Sequence, residues 1–129
     1  MSSPSSQLSD LTALILDRAM AELSNTSARI AGLEKQITDL RERLGALPGY
    51  DVESGQNPAL SSGHFDHWQK QAQAQVKQLN VQLAQALADH EERLAETRQA
   101  FGRNSAINAI QAKMAQEQRN MVQRRVEHQ

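Results

Sequence analysis

Few residues in this chain could do chemistry, and their types and spacing say which chemistry is open to them. The densest cluster is His64-Phe65-Asp66-His67. Two histidines three apart lie on one side of a helix and can share a metal ion, with Asp66 assisting. A closed site needs another ligand on an adjoining turn, and no such residue follows here. The group also opens a helix, so solvated first-turn polar side chains and no metal are the expectation. His90 falls on an apolar stripe, where a histidine serves packing or register rather than ligation. The chain has no cysteine, which removes thiolate nucleophiles and disulfides. It has no glycine-rich phosphate loop, nucleophile elbow or HExxH helix. Glu91 and Glu92 belong to a water-facing surface with no pocket to perturb them. The expectation is a protein that is not an enzyme, with no catalytic, cofactor or metal residues.

Binding chemistry is what remains. Tyr50, Phe65 and Trp68 are three of the four aromatic residues and fall within nineteen positions. They either pack a loop onto helix ends or form an exposed tip that docks on a partner. Near the C-terminus, Lys113, Arg119, Arg124 and Arg125 stand against Glu117 and Glu127, with Met114 and Met121 among them. That stretch is either a solvated helix end or a basic, methionine-bearing arm for another protein, since methionine suits adaptable apolar contacts. The candidate partner-binding residues are Tyr50, Phe65, Trp68, Met114, Arg119, Met121, Arg124 and Arg125.

Helices must position these residues. The stretch from His64 to Gln129 holds no proline and one glycine, Gly102, and is rich in Ala, Gln, Leu, Glu and Arg. These are good helix formers. A stripe recurs in steps of three and four through Phe65, Trp68, Ala72, Val76, Leu79, Leu83, Leu87, His90, Leu94, Thr97 and Phe101. Its successive steps of four depart from strict heptads and relax a left-handed supercoil. Such a helix cannot bury itself, so the first half of the chain is its partner.

That half has Ser3 before Pro4, a cap and first-turn pair, with Ser6 and Ser9 as equally good starts. Leu8, Leu11 and Ile15 make one apolar strip, after which the pattern shifts. From Leu23 the heptad is regular through Thr26, Ile30, Leu33, Ile37, Leu40, Leu44 and Leu47. Lys35–Asp39 and Asp39–Arg43 have ion-pair spacing. Pro48 and Gly49 end the helix, and residues 48–63 read as a loop, long for a helix–helix link. The fold expected is all-α: one domain spanning 1–129, a long antiparallel two-helix coiled-coil hairpin. Its helices run over about 8–47 and 64–127, and the C-terminal helix overhangs.

Leu47 opposite Phe65 would put Leu8 opposite Asn104, within the weak helical stretch Phe101–Ser105. The remaining residues, about 25 at helical rise, would then lack a partner in the chain while keeping the strip Ile107, Ile110, Met114 and Met121. Aromatics at 3% and hydrophobics at 39% are too sparse for a thick core and suit residues that mostly face water. A net charge of −1 favours neither nucleic acid nor an anionic membrane. No apolar run of about 18 residues is present to span a bilayer. The opening Met1–Ser6 lacks signal-peptide features. A cytoplasmic protein is expected.

Several stretches together resemble a family. They are Phe65-x-x-Trp68, Gln78-Leu79-x-x-Gln82-Leu83, Arg98-Gln-Ala-Phe101, Ala106-Ile107-x-x-Ile110-x-x-Lys113-Met114-x-x-Glu117 and Arg124-Arg125-Val126-Glu127. The pattern is similar to the FliJ/YscO group, the stalk proteins of flagellar or injectisome type III export systems. The resemblance implies a non-enzymatic cytoplasmic component, peripheral to an inner-membrane export apparatus. The terminal end would enter the hexameric export ATPase ring and the loop end would face the membrane export-gate protein. It implies no cofactor, no nucleic acid and no membrane insertion. The competing expectation is a structural or adaptor coiled coil, a homo-oligomer that self-associates through its C-terminal helix.

Overall fold

The computed structural model describes residues 3–46 and 63–128, and all of these but Ser3, Ala46 and His128 lie in two helices. They are α1 (Pro4–Gly45) and α2 (Gly63–Glu127), and they pack against each other. Local chemistry sets their ends. The Ser6 N–H donates to Ser3 Oγ at 3.2 Å. Ser3 is thus the cap, and Pro4 takes the first helical position, where its missing N–H costs nothing. Helix 1 therefore begins before the expected start near residue 8. It ends at Gly45, followed by the Ala46 N–H donating to the Glu42 carbonyl at 2.8 Å. Leu47 and residues 48–62 of the expected 48–63 loop, Tyr50 included, lie outside the described residues, and Gly63 already belongs to α2. In α2, Asp66 sits in the first turn and Arg124 and Arg125 in the last, each sign matching the helix dipole. The helix is continuous through Gly102.

Contacts divide the chain into an inner unit, Asn25–His90, and a terminal unit, residues 1–24 with 91–129. The core of the inner unit is Leu33, Ile37, Leu79 and Ala86, with Ile30, Leu40 and Leu83 packed against it. Thr26 is buried too, its Oγ1 3.0 Å from His90 Nδ1. That contact gives His90 the packing and register role expected of it. Aliphatic burial dominates this unit, and removing this much branched side chain from water is what stabilises it.

The terminal unit is held differently. Thr12 and Ala100 are its buried residues. Thr12 Oγ1 lies 3.0 Å from both the Ser9 carbonyl and Asn104 Oδ1, so one hydroxyl proton is shared between two acceptors. The Ser9 hydroxyl donates to Asn108 Oδ1 at 2.8 Å, and the Gln111 amide donates to the Ser5 carbonyl. Thr97 donates to the Arg93 carbonyl at 2.8 Å and reaches the Ala19 carbonyl at 3.3 Å. Arg93 bonds Glu96 at 3.0 Å and Glu22 at 3.4 Å. As residue numbers rise along α1 they fall along α2, so the two segments of this unit run antiparallel.

Several expectations are corrected here. Thr12, not Leu8, lies level with Asn104. The register is one helical turn away from the one that Leu47 opposite Phe65 requires. The α2 stripe is also revised: Trp68, Leu87 and Phe101 are exposed, while Ala72, Ala86 and Ala100 are buried. Among the positions with reduced exposure, Gln69, Ala72, Val76, Leu79, Leu83, Ala86, His90, Arg93, Thr97, Ala100, Asn104, Ile107 and Gln111 form a line in alternating steps of three and four, flanked by Phe65, Gln82, Asp89 and Leu94. The line keeps heptad spacing, unlike the expected stripe. On α1, the strip Leu8, Leu11 and Ile15 is exposed, and the heptad of Leu23 continues backward through Ala19, Leu16, Thr12, Ser9 and Ser5. In the terminal unit Thr12 and Ala100 are buried and Thr12 bonds Asn104 across the helices, while Leu8 and Leu11, outside that line, stay exposed. Lys35, Asp39 and Arg43 are exposed, and the ion pairs seen among the described residues centre on Arg93 and on Arg18–Glu22 at 3.4 Å.

Candidate interaction surface

Gln111 donates to the Ser5 carbonyl, and no bond seen among the described residues crosses between the helices beyond it. From Ala112 to His128 every residue is exposed, yet the segment remains helical to Glu127. This is the arm. It starts at residue 112, later than the expected boundary at Asn104, because Asn104, Ile107, Asn108 and Gln111 all engage or face α1. Met114 is 52% and Met121 55% exposed, with Val122 and Val126 beside them. Arg119, Arg124 and Arg125 are exposed on the same segment.

The polar residues of the arm divide by face. Gln116 donates to Asn120 at 3.1 Å, Arg119 donates to Gln116, and Gln123 donates to Glu127 at 3.4 Å. All of these lie on the side turned away from the line that packs on α1. On the line itself and its edges, Glu117, Gln118, Arg124 and Arg125 show no side-chain bond among the described residues. The side-chain bonds seen in the arm thus lie on its outer face.

The other expected site residues are placed as follows. Phe65 and Trp68 stack with ring centroids 6.4 Å apart and planes 28° apart. Phe65 is half-buried and Trp68 is 38% exposed. Tyr50 lies outside the described residues. His64, Asp66 and His67 are exposed. Among the described residues no group of three or more His, Cys, Asp or Glu is placed to hold a metal ion.

One surface escaped the sequence reading. In the terminal unit Leu8, Leu11, Leu14, Ile15, Met20 and Phe101 are all 44% or more exposed. Reading the heptad backward from Thr26 through Ala19 and Thr12 would have put these side chains outside the seam. The polar identity of Thr12 and Ser9 hid that phase. Ile15, Ala19 and Ala100 line an open groove rimmed by Arg18, Glu22, Glu96 and Arg103. Its rim carries both charge signs and its floor is shallow, which suits side-chain contact rather than an enclosed small molecule.

No known family pattern, characterised protein or solved structure matches the chain. No helix among the described residues is long and apolar enough to cross a membrane.

Proposed function

We propose that this chain is a non-enzymatic coiled-coil protein that works by docking its C-terminal arm, and that it serves as a stalk component of a type III export apparatus. The observation that carries the reading is the arm itself, a regular helix with an apolar line and no covering residue among those described. A helical segment without tertiary packing is marginal in water unless its apolar side chains find a partner. The alternating three–four spacing supports a coiled-coil seam. The choice of an export ATPase as partner rests on the resemblance of the quoted stretches to the FliJ/YscO group. Met114 and Met121 would supply the adaptable apolar contact, and Arg119, Arg124 and Arg125 the electrostatic steering. The aromatic pair Phe65–Trp68 and Tyr50 would serve a second contact, with an export-gate protein.

The test is binding of the full chain to a purified hexameric export ATPase. Truncation after Gln111 should abolish binding, and reversing Arg119, Arg124 and Arg125 to glutamate should slow association, with the difference shrinking as salt rises. Undiminished binding by the truncated chain would exclude the arm as the docking element. No binding by the full chain would exclude the export reading.

A further inference from the structure

We propose that the arm is the contact between two copies of this chain, which pair antiparallel over Gln111–His128 in one defined register. The inference goes beyond the export reading and describes the free chain, from whose arm an export partner would displace the second copy. It starts from continuity. The α2 line that faces α1 alternates polar Asn104 and Gln111 with apolar Ile107, and past the α1 start it continues as Met114, Gln118, Met121 and Arg125. The established interface therefore runs on, in the same phase and chemistry, into a segment with nothing over it. The occupant such a line fits is another antiparallel helix with the same spacing.

Charge selects a second copy and its register. Glu117 and Arg124 lie on one edge of the line, seven residues apart. That is roughly 10 Å along the axis, too far to pair within one helix. In an antiparallel pair with Gln118 against Met121 of the second copy, Glu117 of each chain meets Arg124 of the other. The opposite edge closes in the same register, with Ala115 against Val122 twice. Arg125 then lies over Met114 and covers it with its aliphatic stem. Shifting the pair by one heptad instead sets Glu117 against Glu117, which repels.

The ends also fit. In this register α2 of the second copy finishes level with Gln111, where α1 begins at Pro4. The second copy's helix points the same way as α1, so its negative C-terminal end meets the capped, positive start of α1. The contact is small. Two such helices bury on the order of 1,000 Å², the lower bound of specific interfaces, so the dimer should be concentration-dependent.

Sedimentation of the full chain with E117R and R124E variants tests the register. Both substitutions lie beyond the α1 contact, so thermal melting of each at low concentration, where the parent is monomeric, should match the parent. The parent should pass from monomer to dimer at about tens of micromolar. Each single variant should weaken the dimer about ten-fold or more, because both symmetry-related pairs become like-charged. An equimolar mixture of the two restores opposite charges in every pair and should recover dimer as heterodimer. A parent that stays monomeric at about 500 µM overturns the proposal, since the arm is then not covered by a second copy at any useful affinity. Dimers indifferent to either variant, or not recovered in the mixture, overturn it equally.

Discussion

Thr12 and Asn104 form a polar pair at a helix interface where an apolar one would be expected. Their bond has modest net value, because each group gives up water to make it, but losing one partner leaves the other unsatisfied. Thr12→Val should therefore destabilise the chain by about 1 kcal/mol, whereas adding Asn104→Leu should recover most of that loss. Chemical denaturation of the single and double variants measures both. If the double variant is less stable than the single, the pair is not a coupled unit. A second residue-scale contrast separates the buried line from the exposed strip. Leu33 is 7% exposed and Leu11 52%. Leu33→Ala should cost about 2–4 kcal/mol, and Leu11→Ala less than about 0.5 kcal/mol. Equal losses would mean that the α1 seam runs through Leu11 after all.

At the scale of the helix, Gly102 is the point where α2 has least intrinsic reason to persist. It remains helical because Ala100 and Asn104 on either side are held against α1. A Cβ added at Gly102 meets nothing within 4 Å. Gly102→Ala should thus stabilise by about 0.5–1 kcal/mol, mainly by narrowing the unfolded ensemble. A lower melting temperature for this variant would reveal a bend that glycine alone permits. Gly32 is in the same position on α1, exposed and with open space around its Cα, so the two substitutions should add.

For the molecule as a whole, the two units differ in what holds them. The inner unit buries Leu33, Ile37 and Leu79, while the terminal unit relies on Thr12, Ala100 and side-chain bonds. Hydrogen bonds contribute less net stability than aliphatic burial of this extent. Amides near Thr12 and Asn104 should exchange faster than those near Leu33 and Leu79, by hydrogen-exchange mass spectrometry. Slower exchange in the terminal unit would show that the polar seam is the stronger one. The same accounting predicts where truncation begins to hurt. Cutting after Gln111 removes no cross-helix bond seen among the described residues and should leave the melting temperature of the monomer, measured at low concentration, unchanged. Cutting after Asn104 removes the Asn108–Ser9 and Gln111–Ser5 bonds, and should lower it by about several degrees.

The sequence alone determined the helical class, the two elements and their approximate ends. Proline and glycine placement and the three–four recurrence each act locally, within one or two turns, whereas the choice of Ser3 over Ser6 and Ser9 as the first cap was not legible. It also determined the Leu23–Leu44 seam, because branched apolar residues stand there without competitors. The register and the terminal seam were decided only by tertiary structure. Leucine at positions 8 and 11 and phenylalanine at 101 outrank threonine and alanine on any hydrophobic scale. Interface membership, however, depends on which line of small residues lets two backbones approach while the polar groups bond one another. Both lines at that end have helical spacing, and only the facing helix, by pairing Asn104 with Thr12, selects between them. The arm was legible as an apolar strip, but its start at residue 112 follows from that register and from nothing local to the strip itself.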